Sequence, residues 1–299
     1  MGIEPPNMEI VRDRLDQAMN EDGYRDDVST WLAFPPDGQV PREHVAVVAR
    51  EAGTFAGAVI LDALGERLGD AMAVSCHVSD GAGFESGSRV ALIEGDLRAI
   101  LSIERTVLNF LQRLCGVATM TAAYVRAVAG TGAAILDTRK TIPGWRELDK
   151  YAVRCGGGHN HRMGLHDAVV LKDNHLADAA RGDFAAHVGS ILDRLARLPR
   201  RPAFVEVEVD TFDQYVAILR VDAVDVILLD NFSLDEVRRA VRLRDEQAPR
   251  RSRPVALEVS GGVTLETVGA IARTGVDRIS VGAVTHSAAA VDLAFDRLA

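Results

Sequence analysis

The sequence predicts an α/β chain in two parts: a small N-terminal α+β domain and a larger region of repeated βα units arranged as a barrel of parallel strands. Three observations carry this expectation. Strand-like runs with few helices occupy the first third. Strand and helix patterns alternate from Ala133 onward. Nearly every strand of that second region ends in a polar or small residue.

Residues 8–20 predict an amphipathic helix, with Ile10, Val11, Leu15 and Met19 at helical spacing. A turn-rich stretch follows through Pro35-Pro36-Asp37-Gly38. Strands are predicted at 44–50, 72–78 and 89–95, a helix near 56–67, and a glycine- and serine-rich loop at 79–88. A long helical register from about 97 to 129 sets Leu101, Val107, Leu108, Leu111, Leu114 and Val117 on one apolar face. That face reads as core, and the helix joins the two parts.

The second part offers strands at Ala133–Asp137, Ala168–Lys172, Ala203–Val209, Val224–Asp230, Val255–Ser260 and Arg278–Ala283. Helical patterns at 184–197, 233–247 and 264–273 separate them. The polar or small residues near the strand ends are Asp137, Lys172, Glu208, Asp230, Ser260 and Gly282. In a barrel such residues converge on one mouth. A doubly wound sheet gathers its ligand groups at one switch point instead. Dispersal over many strands favours the barrel.

Parity adds detail. In Val205-Glu206-Val207-Glu208-Val209 the valines share one face and the glutamates the other. Helices packed on the valine face leave both glutamates pointing into the barrel, where they need cations or donors. Glu258 and Ser260 repeat the pattern on a later strand.

Charge and composition narrow the function. A net charge of −9 argues against nucleic acid as a main partner. It does not argue against a small anion, because the basic groups are unevenly placed. All three lysines, Lys140, Lys150 and Lys172, lie within 33 residues, whereas arginine supplies every other fixed positive charge. Lysine is a compact point charge and arginine a planar fork, so the surviving lysines suggest a site that wants a point charge. The stretch from Asp137 to His175 also holds four of the eight histidines and the run Gly156-Gly157-Gly158. Cys76, Cys115 and Cys155 show no CxxC spacing, so a reducing compartment and no structural zinc are expected. No secretory pattern opens the chain and no apolar run is long enough for a bilayer, so the expectation is a soluble cytoplasmic protein without membrane partners.

Two glycine turns follow late strands: Ser260-Gly261-Gly262, with Thr264 as a helix cap, and Val281-Gly282-Ala283. Glycine admits a close backbone approach, and late barrel loops commonly cradle phosphate. Signatures for dinucleotides, nucleoside triphosphates and serine nucleophiles are absent. His159 and His161 lack a carboxylate or cysteine at metal-ligand spacing. The candidate site thus combines cations (Arg139, Lys140, His161, Arg162, Lys172), carboxylates (Glu208, Asp230) and a phosphate cradle. Carboxylates beside a phosphate site point to magnesium or sugar hydroxyls. The surplus of cations points to a second, carboxylated substrate.

At Asp137-Thr138-Arg139-Lys140-Thr141-Ile142-Pro143-Gly144, Tyr151-Ala152-Val153, Gly156 through Leu165 and Lys172-Asp173-Asn174-His175 the chain resembles the quinolinate phosphoribosyltransferases. The resemblance continues through Glu104-Arg105-Thr106, Glu206-Val207-Glu208-Val209, Leu229-Asp230-Asn231-Phe232 and Glu258-Val259-Ser260-Gly261-Gly262. Trp145 stands where that family often has leucine, a change expected to affect packing rather than chemistry.

The resemblance implies an N-terminal open sandwich over residues 1–115, an incomplete barrel over 116–284, and a tail at 285–299 that packs back on the first domain. It implies transfer of phosphoribose from phosphoribosyl pyrophosphate to quinolinate, with loss of carbon dioxide and pyrophosphate, and magnesium as cofactor. Catalysis would fall to Lys140, Lys172, Glu208 and Asp230. Substrate binding would add Arg105, Thr138, Arg139, His161 and Arg162. Phosphate would lie on Ser260, Gly261, Gly262, Val281, Gly282 and Ala283. Magnesium would meet Glu208 and Asp230, directly or through water. A homodimer is implied, with Arg105 supplied by the neighbouring subunit and further assembly of dimers left open. Two other readings stand beside this one: a related transferase with another acceptor, and a barrel lyase or aldolase using Lys172 or Lys140 as a Schiff base.

Overall fold

A computed structural model describes residues 3–35, 38–177, 183–250 and 252–298, so Pro36 and Asp37 of the predicted turn lie outside the described residues. The chain divides into two compact units. The first comprises residues 1–122, 141–158 and 284–299, and the second comprises 123–140 and 159–283.

In the first unit, α1 (Met8–Asp22) starts where the Asn7 side chain accepts the Glu9 N–H and ends at Gly23, whose φ of 68° suits glycine. It buries Val11, Leu15 and Met19. A short helix absent from the sequence reading, α2 (Val28–Ala33), is capped by Asp27, which accepts from Ser29 and Thr30. Then come β1 (Arg42–Ala49), β2 (Gly53–Thr54), α3 (Ala58–Leu68), β3 (Met72–Cys76), β4 (Gly83–Phe84) and β5 (Arg89–Asp96). The C-terminal strand β12 (Leu293–Arg297) completes an antiparallel sheet ordered β12-β1-β5-β3. Val45 faces Arg297 and Val47 faces Phe295 across its first ladder.

The long helix α4 (Leu97–Ala127) contributes its first part to this unit and its last residues to the other. The boundary expected at 115/116 therefore falls inside a continuous helix. Residues 141–158 belong to the first unit because α5 (Arg146–Cys155) buries Leu148, Tyr151, Ala152 and Val153 there. Its buried Asp149 takes an ion pair from Arg113 of α4 at 3.0 Å. The Tyr151 hydroxyl donates to Asp80, whose other oxygen accepts from Gly57 at 2.9 Å and Ala58 at 3.2 Å at the start of α3. Trp145 stacks on Phe110 with ring centroids 4.7 Å apart, which is a packing role.

The second unit holds β6 (Ala134–Leu136), β7 (Val169–Leu171), α6 (Asp173–Leu176), α7 (Phe184–Leu192), β8 (Val205–Val209), α8 (Phe212–Ile218), β9 (Val226–Asp230) and α9 (Leu234–Gln247). It continues through β10 (Ala256–Ser260), α10 (Leu265–Ala272) and β11 (Arg278–Ser280), and α11 (Ala283–His286) begins at its last residue. The six strands run parallel in the order β6-β11-β10-β9-β8-β7. Because β6 and β7 are the two edges and do not pair, the α/β barrel is incomplete. The last strand is shorter than the sequence pattern suggests, ending at Ser280. Val281 still donates its N–H to the Leu136 carbonyl at 2.8 Å, tying the following turn to β6.

Candidate active site

Alternation along β8 builds one wall of the site. Val205, Val207 and Val209 are buried among the core residues, and Glu206 and Glu208 turn to the opposite face. That face borders a cavity of about 320 Å³, which collects side chains from the ends of β6 to β11.

Its cations come from two loops and one strand end. Thr138, Arg139 and Lys140 follow β6, and the Thr138 hydroxyl accepts the Lys140 N–H at 3.0 Å, folding the turn. Asp137 is fully buried and organises the neighbouring loop. It accepts the His161 N–H at 2.9 Å and the Asn160 amide at 2.6 Å. Arg162 is 8% exposed and donates through Nη1 to the Ala168 carbonyl at 3.1 Å. Burial lowers its pKa, and the nearby positive charge of Arg139 adds to the effect. Lys172, beyond β7, forms an ion pair with Glu208, while its backbone N–H donates to His175 at 3.1 Å. Lys150 does not reach this set: it is fully buried on α5 in the first unit.

Carboxylates line the other side. Oxygens of Glu208, Asp210 and Asp230 lie within 4.8 Å of one another, a set of hard oxygen donors that suits magnesium. Asp210 escaped the sequence reading. The signal was its parity, since 206, 208 and 210 all fall on one face of β8 and its extension. Asp230 is steered by Asn231, whose amide donates to it at 2.8 Å. Asn231 takes a left-handed φ of 56° and gives its own N–H to the Ser260 carbonyl at 3.1 Å.

Deeper in the barrel, Glu206 and Glu258 are both fully buried. Burial pushes each carboxyl up to about 7, only partly offset by nearby cations. His161 bridges them, with Nε2 2.9 Å from Glu206 and 3.5 Å from Glu258. These are the carboxylate partners that local spacing could not place beside His161. Arg278 stands 2.7 Å from Glu258 and supplies counter-charge.

The predicted phosphate cradle is placed in part. Ser260 and Ser280 border the cavity, whereas Gly261, Gly262, Val281, Gly282 and Ala283 are not among its lining residues. Gly261 and Gly262 do carry positive φ values, 92° and 59°, that call for glycine. Thr264 caps α10 directly after them. Arg105 is exposed on α4 in the first unit and does not border the cavity.

An open parallel barrel whose strand ends set fixed cations against grouped carboxylates defines an enzyme of the class that handles phosphorylated and carboxylated small molecules. Family models narrow this. The quinolinate phosphoribosyl transferase N-terminal domain matches residues 28–115, and the corresponding C-terminal domain matches 117–296. The chain belongs to the quinolinate phosphoribosyltransferase family. It is 42% identical over 295 residues to a carboxylating nicotinate-nucleotide pyrophosphorylase of Mycobacterium leprae, covering 96% of this chain and 97% of the relative. A probable enzyme of the same description from Bacillus subtilis is 40% identical over 253 residues, covering 84% and 82%. The solved nicotinate-nucleotide pyrophosphorylase of Francisella tularensis superposes with a TM-score of 0.86 at 33% identity, covering 100% of this chain and 99% of that one.

Proposed function

We propose that this chain transfers phosphoribose from phosphoribosyl pyrophosphate to quinolinate, releasing pyrophosphate and carbon dioxide and forming nicotinate mononucleotide for NAD synthesis. The observation that carries the reading is the opposition, around one cavity, of Arg139, Lys140, Arg162 and Lys172 to Glu208 and Asp230. Quinolinate has two carboxylates and needs several cations, best with bidentate arginines. The ribose carbon loses pyrophosphate through an oxocarbenium-like state, which Glu208 and Asp230 stabilise electrostatically. The pyridine nitrogen forms the new bond to that carbon and becomes cationic. The adjacent carboxylate then leaves as carbon dioxide, its electron pair stays on the ring carbon, and a proton takes its place.

Glu208, Asp210 and Asp230 are the residues that would hold magnesium. When bound, the ion neutralises pyrophosphate charge. Ser260, which borders the cavity, would offer its hydroxyl to the phosphate end, and the glycine turn after it would add backbone donors from outside the described cavity lining. In the homodimer we infer, Arg105 would serve the neighbouring subunit's site. Free Cys76, Cys115 and Cys155 accord with a cytoplasmic setting. No helix among the described residues is long and apolar enough to cross a membrane.

The test is one assay: quinolinate with phosphoribosyl pyrophosphate and magnesium, following pyrophosphate and nicotinate mononucleotide together. Product with another pyridine acid but not quinolinate would redirect the reading to a different acceptor. Borohydride trapping of substrate on Lys172 or Lys140 would replace it with a Schiff-base reaction.

A further inference from the structure

Arg113 of α4 has a side chain only 17% exposed, and its guanidinium serves three partners. Nε and Nη2 both donate to Oδ1 of the buried Asp149, at 3.2 and 3.0 Å. Nη2 also donates to the Thr285 carbonyl at 2.5 Å, and Nη1 to the Ala288 carbonyl at 3.4 Å. This side-on pairing leaves Asp149 Oδ2 to accept the Ile142 N–H at 3.2 Å. Two further bonds close the turn onto the same residue: the Trp145 N–H donates to the Ile142 carbonyl and the Asp149 N–H to the Trp145 carbonyl, each at 2.9 Å. The two segments held in this way follow neighbouring strands. Ile142 closes the loop after β6 that carries Arg139 and Lys140, and Thr285 follows the Val281-Gly282-Ala283 turn after β11.

We propose that Arg113 is a positioning residue for the transfer reaction: one guanidinium clasps the chain beyond both loops, through Asp149 and Ile142 on one side and the Thr285 and Ala288 carbonyls on the other. Arg113 is not among the residues lining the cavity, so it acts through the backbone rather than on a substrate. All of its clasping contacts lie within the first unit, and chain continuity carries their effect from Ile142 to Lys140 and Arg139. Asp149 is fully buried and would be costly as a lone carboxylate. Burial raises its pKa, and the Arg113 charge and the Ile142 N–H oppose that rise. Lysine is a poor substitute for the arginine. Its three donors radiate from one nitrogen, whereas the fork spans a carboxylate oxygen and two carbonyls. The clasp matters because a guanidinium such as that of Arg139 reads a carboxylate with both prongs only when its backbone is held in place.

The inference rests on the quinolinate reading only for its binding arm, and a substrate-free arm separates the two. Amide hydrogen exchange is measured on the full chain and on Arg113→Lys, which keeps the charge opposite Asp149. The Ile142 amide should exchange about 10-fold faster in the variant. The His161 and Met163 amides, held by Asp137 and Asp167, should change by less than about 2-fold. Equal acceleration in both loops means general loosening, and no acceleration means no clasp; either overturns the proposal. In the binding arm, Arg113→Lys should weaken quinolinate binding about 10-fold in the otherwise wild-type chain and on the Arg162→Lys background, but less than about 2-fold on the Arg139→Lys background. The same loss on all three backgrounds, or no loss on any, overturns it. A wild type that fails to bind quinolinate sinks the proposed function, while the exchange arm still tests the clasp. If Arg113→Lys does not fold, the wild type decides: an Ile142 amide as slow as those of α5 supports the proposal, and one as fast as an open turn overturns it.

Discussion

Asn231 and Gly261 approach so closely that a Cβ on Gly261 would lie 2.1 Å from Asn231 Oδ1 and 2.7 Å from its Cγ. The contact couples two strand ends, because the same asparagine orients the Asp230 carboxylate and accepts a left-handed backbone to do so. Gly261 itself has a φ of 92°, which a side chain tolerates poorly.

Gly261→Ala should therefore cost about 1–3 kcal/mol of stability, read as a lower denaturation midpoint, and reduce turnover by displacing Asn231. The double variant Gly261→Ala with Asn231→Gly removes the atoms that collide and should recover part of the midpoint. Equal midpoints for the single and double variants would show that the clash is not what destabilises.

Arg139→Lys keeps the charge and loses the fork. Quinolinate affinity should fall by about 10- to 100-fold, with a smaller effect on phosphoribosyl pyrophosphate. An unchanged calorimetric affinity for quinolinate would take Arg139 out of this role.

Asp230→Asn and Glu208→Gln remove a charge at nearly constant shape. Turnover should drop by roughly 100- to 1000-fold with little change in quinolinate affinity, since the charge acts in the transition state. Near-normal turnover in either variant would contradict the assignment.

The buried carboxyl of Glu258 sets a pH dependence. Its folded value of about 7 lies above the ordinary 4.5, so between them the folded state binds more protons than the unfolded one. Its contribution to stability is then greatest below pH 4.5, is lost as pH rises through the folded value, and flattens above about 7. Glu258→Gln should remove a loss on the order of 3 kcal/mol across that window. Urea titrations of both proteins at several pH values measure it, and parallel curves would refute it.

Shared sites make a different kind of claim. Arg105→Ala and Lys172→Ala proteins, each inactive alone, should regain part of their activity when their subunits exchange. In a mixed dimer one site inherits both lesions and the other neither. Verified exchange without recovered activity would place Arg105 in its own chain's chemistry or outside it.

The parts of the fold that were legible in the sequence are the locally encoded ones. Period-two alternation in β8 marked Glu206 and Glu208, and the polar strand ends marked Lys172, Asp230 and Ser260. What local pattern could not carry was pairing across distance. β12 joins β1 across some 250 residues, and nothing near Leu293 signals it. His161 finds its carboxylates on β8 and β10, far outside any ligand-spacing motif. Asp210 lies one residue past the predicted end of its strand at Val209 and directly before the Thr211 cap of α8, so the strand pattern did not include it. Lys150 misled by position: it shares the lysine-rich stretch, but α5 carries it into the core of the other unit.

Trp145 on its Phe110 partner is one of only two tryptophans in the chain, and the other, Trp31, is 63% exposed. Both belong to the first unit, so the indole emission of this protein is blind to the barrel. A denaturation curve followed by tryptophan fluorescence reports the first unit alone, whereas far-ultraviolet circular dichroism sums over both. Superimposable curves would mean that the units melt as one cooperative body, and separated curves that the barrel has a stability of its own. The molecule thus carries a built-in optical label for one half of itself.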